Sequence, residues 1–143
     1  MKNGEIIIIE DDLDDVDVIS HLLSNFLKKK SFTNKVVVLS DAEKAYRYLA
    51  DNENKPFLII SDINMPRMDG FMLRDKANNL KMFKENFIPY VFLTTGIASK
   101  RQLMEAYDLD VQGVFIKPID YIKFEILIAE IVTYWKANTN DIA

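Results

Sequence analysis

Short runs of apolar residues, many of them β-branched, alternate along this chain with longer segments in which apolar residues recur every three or four positions. The short runs are typical of strands that are buried on both faces. The longer segments have the period of a helix with one buried side. The predicted strands are 5–9, 36–39, 57–61, 90–93 and 114–117, and a helical segment follows each of them.

Five strand–helix units in succession predict a single α/β domain, with parallel strands joined by right-handed crossovers and helices on both faces of the sheet. Ser99 and Asp120 precede the fourth and fifth helical segments, and both residue types favour the N-cap. The polar segment 78–86 is longer than a minimal connection and is interpreted as a helix end plus a loop. We expect one domain over residues 1–143, with its core at about 5–136 and a frayed tail at 137–143.

The composition narrows the class of protein. The chain has 143 residues, no cysteine and a formal net charge of -4. The lack of cysteine excludes disulfides and thiolate metal sites, and the acidic balance argues against a nucleic-acid surface. No apolar run approaches the ~20 residues of a membrane span, and residues 1–4 do not have a signal-peptide layout. We therefore expect a cytoplasmic protein that binds neither nucleic acid nor a membrane.

Polar and charged residues stand where the predicted strands end. Glu10 and Asp11 follow the first strand, Asp62 the third and Thr94 the fourth, while Lys117 ends the fifth. Sites in open parallel sheets form beyond the carboxyl ends of the strands. If the first, third, fourth and fifth strands are neighbours, three carboxylates, a hydroxyl and an ammonium group converge on one edge of the sheet.

This set of groups has a chemical logic. Three carboxylates so close together would repel one another, and a hard divalent cation relieves that repulsion. Oxygen ligands without a nearby histidine or cysteine suit Mg²⁺ or Mn²⁺. The lysine can neutralise one phosphoryl oxygen, and the threonine hydroxyl can donate to another. The set therefore predicts phosphoryl transfer in which a carboxylate is the nucleophile.

At these positions the chain resembles the receiver domain of two-component response regulators. Five motifs lie in the family's order and approximate spacing: Ile8-Ile9-Glu10-Asp11, Ser61-Asp62, Met65-Pro66-Arg67-Met68-Asp69-Gly70, Leu93-Thr94-Thr95 and Lys117-Pro118. The resemblance covers about residues 5–136. It implies a doubly wound, flavodoxin-like sheet of five parallel strands in the order 2-1-3-4-5. With no DNA-binding or catalytic domain after the last helical segment, a stand-alone receiver similar to the chemotaxis regulators is expected.

The resemblance implies a phosphoacceptor and a metal site. Asp62 would be the acceptor of the phosphoryl group. Asp11 and Asp62 would bind Mg²⁺ or Mn²⁺ directly, and Glu10 would bind it through water. The backbone carbonyl of Asn64 would complete the protein ligands.

The resemblance also assigns roles at the ends of the fourth and fifth strands. Thr94 would move onto a phosphoryl oxygen. Lys117 would pair with the carboxylate of Asp62 before phosphorylation and with the phosphoryl group afterwards. The Lys117–Pro118 peptide bond would be cis, which an X–Pro bond permits, and Gly70 would allow the turn into the third helix.

Two positions depart from the family's pattern. The family often has an aromatic residue three positions before the lysine, and this residue moves inward with the threonine. Here that position is occupied by Val114. Phe115 should point to the opposite face because strand side chains alternate, so we expect a muted rearrangement of the fourth helical segment and fifth strand. Thr95 stands where many relatives have alanine or glycine, and its larger side chain should shield the acyl phosphate from water and slow its hydrolysis.

The implied function is signalling. The protein would accept phosphate on Asp62 from a sensor histidine kinase or a phosphotransfer protein, and would then dock on a downstream protein as a monomer or weak dimer. It would not be an enzyme, apart from assisting its own phosphorylation and dephosphorylation. One alternative is a binding module with this fold that works without phosphorylation. Another is an aspartyl-phosphate phosphatase, which is disfavoured because that class needs an aspartate where this chain has Asn64.

The acidic run continues with Asp12, Asp14, Asp15 and Asp17. An EF-hand loop needs a glycine at its sixth position and a closing glutamate, and both are missing here. These carboxylates are interpreted as the cap of the first helix and as partners of its dipole. His21, in the middle of that helix, is interpreted as a partly exposed helix residue and not as a phosphotransfer histidine.

Overall fold

In the computed structural model, which describes residues 2–51, 53 and 55–139, five parallel strands form one sheet in the order β2-β1-β3-β4-β5. The strands are β1 (Ile6–Ile9), β2 (Val36–Leu39), β3 (Leu58–Asp62), β4 (Tyr90–Thr94) and β5 (Gly113–Ile116). The predicted fold class and strand order are confirmed. Each strand boundary lies within about one residue of its predicted position.

The sheet forms from the apolar runs of the sequence. All four isoleucines of β1 are at most 1% exposed, and β3 and β4 are buried along their whole length. Burying one such side chain contributes about 2 kcal/mol. The edge strands β2 and β5 are partly exposed. The rigid centre of the sheet is therefore β1, β3 and β4, from whose ends most of the candidate site projects.

Helices cover both faces of the sheet. They are α1 (Leu13–Lys29), α2 (Ala42–Asp51), α3 (Gly70–Ala77), α4 (Lys81–Glu85), α5 (Lys100–Asp108) and α6 (Tyr121–Asn138). Helices α1 and α6 pack on one face, with Leu23 and Ile128 fully buried. Helices α2, α3 and α5 pack on the other face through residues such as Ala45, Leu73 and Ala106. This arrangement confirms the predicted helix layers.

Side-chain caps fix where several helices begin. Asp12 accepts hydrogen bonds from two backbone N–H groups at the start of α1. Ser99 forms a reciprocal capping box with Gln102 on α5, and Asp120 caps α6. These contacts satisfy N–H groups that have no partner within the helix. The N-caps predicted at Ser99 and Asp120 are confirmed.

The connection between α3 and β4 differs from the prediction. Residues 81–85 form the short helix α4, where the sequence indicated a helix end plus a loop. Its Met82 and Phe83 pack against the core beneath α2 and α3. Five residues make little more than one helical turn, which is too short to show a helical period in the sequence. Contact with the core therefore stabilises this turn.

The last helix reaches further than the sequence indicated. Residues 137 and 138 of the predicted frayed tail belong to α6, while 140–143 lie outside the described residues. Within the described ranges, no helix combines the length and the apolar character needed to cross a membrane.

Candidate functional site

One edge of the sheet gathers the predicted site residues. Asp62 ends β3, Thr94 ends β4, Glu10 follows β1 and Lys117 follows β5, and these four strands are adjacent in the sheet. All four residues are buried, with Glu10 only 1% exposed. Acidic and basic side chains are rarely buried unless they are paired. Their convergence here marks this edge as the candidate site.

The ammonium group of Lys117 connects the carboxylates. Its Nζ lies 2.9 Å from Oδ2 of Asp15, 3.0 Å from Oε1 of Glu10 and 3.5 Å from Oδ1 of Asp62. An ammonium group has three N–H donors, so it can serve three carboxylates at once. The predicted pairing of Lys117 with Asp62 is present, but it is the longest of the three contacts.

Asp15 is a site residue that the sequence analysis missed, because its carboxylate was assigned to the helix cap and dipole. The structure gives the capping role to Asp12 and directs Asp15, in the first turn of α1, to the ammonium of Lys117. The sequence feature that could have identified Asp15 is its position three residues after the N-cap. The start of α1 lies over the edge where the strands end, so its first turn can reach the site.

The carboxylates fit a divalent cation. Glu10, Asp11 and Asp62 offer oxygen atoms that all lie within 4.8 Å of one another. Oε2 of Glu10 is buried and has no hydrogen-bond partner, which is costly for an acceptor. A cation that prefers oxygen ligands, such as Mg²⁺ or Mn²⁺, would satisfy that atom. Asn64 is exposed, and the role of its backbone carbonyl as a ligand stays a prediction.

Two groups at the site have pKa values above their usual values. Burial, and then the charge of Asp62, raise the pKa of Glu10 to about 8, although Lys117 acts in the opposite direction. Burial alone would lower the pKa of Lys117, but the hydrogen bond and charges of Asp15, Glu10 and Asp62 hold it above its usual value. Lys117 is therefore a cation at neutral pH. The metal-free site resists a further negative charge on Glu10, and a bound cation would remove that cost.

The loop after β3 holds Asp62 in place. The backbone N–H of Ile63 donates to Oδ1 of Asp62 at 2.9 Å, and the backbone N–H of Gly70 donates to the carbonyl of Ile63 at 2.7 Å. A Cβ atom on Gly70 would lie 2.5 Å from the carbonyl oxygen of Asp62. Asp69 caps α3 by accepting from the backbone N–H of Met72. The turn that follows the expected acceptor therefore needs a residue without a side chain.

Two predictions about the end of β5 have different outcomes. The prediction of a cis Lys117–Pro118 bond is wrong, because the described residues contain no cis peptide bond; trans is the ordinary preference of an X–Pro bond. The prediction that Val114 and Phe115 point to opposite faces is confirmed. Val114 packs with the α2, α3 and α5 cluster, and Phe115 packs with the α1 and α6 cluster.

A groove of about 480 Å³ opens beside the site between α1, the loop after β4 and the loop after β5. Asp15, Thr95, Lys117 and Pro118 are among its lining residues. Thr94 is buried, whereas Thr95 is exposed. The shielding role of Thr95 stays a prediction.

Comparison with known proteins agrees with this geometry. A family model described as the response regulator receiver domain matches residues 6–129. The probable methanogenesis regulatory protein FilR2 of Methanothrix harundinacea is 25% identical, over 94% of this chain and 91% of that protein. Four other curated relatives are longer proteins, and this chain covers between 8% and 44% of their length.

Solved structures share the fold. The phosphorylated cyanobacterial phytochrome response regulator RcpA matches with a TM-score of 0.82 and 26% identity, over 95% of this chain and 96% of that chain. The Mn²⁺-bound form of the response regulator Rcp1 matches with a TM-score of 0.76 and 23% identity, over 97% of this chain and 99% of that chain.

Proposed function

Because this chain belongs to the response regulator receiver domain family, we propose that Asp62 accepts a phosphoryl group in a reaction that needs Mg²⁺. The donor is a phosphohistidine on a sensor kinase or a phosphotransfer protein. One observation carries the proposal: the Lys117 ammonium lies 3.5 Å from Oδ1 of Asp62, beside a cluster of carboxylates that can hold a cation.

In the proposed step, a carboxylate oxygen of Asp62 attacks the phosphorus atom. A P–O bond forms while the P–N bond breaks, and its electron pair goes to the leaving imidazole. Lys117 and the hydroxyl of Thr94 stabilise the negative charge on the phosphoryl oxygens. Glu10, Asp11 and Asp62 would hold the Mg²⁺ ion, which supplies further charge neutralisation when it is bound.

The product is a signal and not a released compound. The protein is itself changed by the reaction and returns to its first state by hydrolysis, so it acts as a phosphoacceptor and not as an enzyme. The phosphorylated form then docks on another protein. Family membership in two-component signalling supports this reading.

The first test measures thermal unfolding with beryllofluoride, a phosphoryl mimic, and Mg²⁺. Binding to the folded state alone should raise the Tm by roughly 5 °C or more at a ligand concentration near 100 times Kd. Asp62→Asn should abolish the rise. Asp108→Asn, the same change at an exposed position on α5, should retain it.

A second test uses acetyl phosphate and Mg²⁺, with mass spectrometry to detect one added phosphoryl group. Wild type and Asp108→Asn should gain the group, and Asp62→Asn should not. A gain that persists in Asp62→Asn would move the acceptor to another residue. No Tm rise and no mass gain in wild type would instead support a binding module that works without phosphorylation.

A further inference from the structure

Asp15 holds the Lys117 ammonium more closely than the expected phosphoacceptor does. The distance from Nζ of Lys117 is 2.9 Å to Asp15 and 3.5 Å to Asp62. The side chain of Lys117 is 6% exposed and that of Asp15 is 31% exposed. The contact joins α1 to the end of β5, over 102 residues of sequence separation. Asp15 therefore anchors a buried charge from outside the sheet.

The three carboxylates around Lys117 differ in what else they can bind. Glu10 and Asp62 belong to the carboxylate cluster that can hold a cation, and Asp15 does not. A cation bound by Glu10 and Asp62 would use the same two carboxylate groups that contact the ammonium. Phosphorylation of Asp62 would then also remove one carboxylate partner. Asp15 is the partner whose contact with Lys117 can persist both when a cation binds and when Asp62 is phosphorylated.

We propose that Asp15 is the positioning residue for Lys117 during phosphoryl transfer, an inference that rests on the proposed function of Asp62. Lysine has a long, flexible side chain with three donors on its ammonium group. With one N–H directed to Asp15, the ammonium stays beside Asp62 and keeps a donor for a phosphoryl oxygen. Without Asp15, the ammonium moves toward Glu10 and Asp62 and competes with the cation for their oxygens.

The test compares two variants in the same helical turn. Asp15→Asn and Asp14→Asn remove the same charge, and the side chain of Asp14 is exposed. With acetyl phosphate and saturating Mg²⁺, the rate of phosphorylation should fall by about tenfold in Asp15→Asn and should remain near wild type in Asp14→Asn. Asp15→Glu should recover part of the rate because it restores a negatively charged carboxylate for Lys117.

A second readout reports on Lys117 without metal or phosphate. Ammonium protons that are buried and hydrogen-bonded exchange slowly enough to give a ¹H–¹⁵N NMR signal from Nζ. The Lys117 signal, identified by its loss in Lys117→Met, should be present in wild type and in Asp14→Asn. It should be broadened or lost in Asp15→Asn. Circular dichroism checks that each variant is folded, and Asp15→Ser serves as a second variant with the same expectations.

The outcomes separate the two proposals. If wild type does not accept a phosphoryl group, the proposed function is wrong and this inference falls with it. If wild type accepts the group but Asp15→Asn matches Asp14→Asn in rate, Asp15 does not position Lys117 for transfer. A lower rate with an unchanged Lys117 signal would also overturn the inference, because the effect would then not act through Lys117.

Discussion

Lys117 is the residue on which the charge balance of the site depends. Its ammonium group is the cation that contacts Asp15, Glu10 and Asp62 together. Removing one partner from a buried set of charges usually costs about 3–5 kcal/mol, because the remaining charges stay buried without compensation. Here part of the cost is already avoided, because the pKa of Glu10 is raised to about 8 and its carboxyl group is mostly uncharged at neutral pH without metal.

We therefore expect Lys117→Met to lower the free energy of unfolding by about 2 kcal/mol at neutral pH without metal. The same change should strengthen Mg²⁺ binding, because the ammonium no longer competes for the carboxylates. Urea unfolding and calorimetric titration measure the two effects. Lys123→Met, at an exposed position on α6, should change neither. A variant that loses stability and also binds Mg²⁺ more weakly would contradict this account.

Gly70 sets a steric limit next to Asp62. In Gly70→Ala the new Cβ would meet two backbone atoms, the carbonyl oxygen of Asp62 at 2.5 Å and Cα of Ile63 at 2.9 Å. The loop must shift, so we expect a loss of about 1–3 kcal/mol in urea unfolding together with slower phosphorylation of Asp62.

A second glycine provides the comparison. A Cβ on Gly113 would meet only the ring of Phe115, at 2.7 Å, and a side chain can move more easily than a backbone. Gly113→Ala should therefore cost less than Gly70→Ala and should leave phosphorylation unchanged. Equal losses in the two variants would mean that the loop after β3 yields as readily as a side chain.

At the scale of the elements, Arg74 joins α3 to the turn between α5 and β5. Its guanidinium donates to the carbonyls of Leu109 and Asp110 at 3.1 and 3.0 Å. The group also lies 4.8 Å from the ring centre of Phe83 and 4.5 Å from that of Tyr90. Burial lowers the pKa of Arg74. The residue is thus a buried charge held by two carbonyls and two aromatic rings.

The two carbonyls have other donors. Asn78 also donates to Leu109, and Gln112 also donates to Asp110. Replacing Arg74 should therefore destabilise the fold mainly because its packing between the two rings is lost. We expect Arg74→Ala to lower the free energy of unfolding by about 3 kcal/mol and Arg74→Met, which keeps a long apolar stem, by less than half of that. Equal losses in urea unfolding would show that the hydrogen bonds matter more than the packing.

Some of the elements could be predicted from the sequence and one could not. Strand β1 has a run of isoleucines and helix α6 has apolar residues at helical spacing. Both elements were therefore predicted to within a residue or two. Helix α4 was not predicted, because its single turn is stabilised by packing of Met82 and Phe83 against the core. That core forms only when the chain folds.

The candidate site shows the same division. Strand ends in a parallel sheet meet by topology, which is why Glu10, Asp62 and Lys117 could be placed together from the sequence. The contact of Asp15 with Lys117 could not, since it depends on how α1 is set over the sheet edge. The expected cis bond before Pro118 came from the resemblance and not from the residues themselves, and this chain does not adopt it.

At the scale of the whole molecule, the proposed phosphorylation of Asp62 can act as a signal only if it changes a surface at which another protein docks. Val114 packs with the cluster on the α5 side of the sheet, while Phe115 faces the α1 and α6 side. No large ring on β5 is therefore placed to move inward beside Thr94. The rearrangement should remain close to the loop after β4.

Amide hydrogen exchange can measure this. With beryllofluoride and Mg²⁺, protection should increase strongly in residues 95–99 and only weakly in α5 and β5. The control is Asp62→Asn under the same conditions, which should show neither change. If α5 and β5 change as much as the loop, the expectation of a muted rearrangement is wrong.

Trp135, the chain's one tryptophan, lies at the other end of the molecule. Its ring packs with Phe87 and Tyr134, at centroid distances of 5.8 and 4.8 Å, and it lines a cavity with Gln112 just before β5 begins. The length of a strand, about 15 Å, separates this end from Asp62. Its fluorescence is therefore too remote to report directly on what binds at Asp62. An emission change on phosphorylation would be an optical sign that the signal had crossed the sheet.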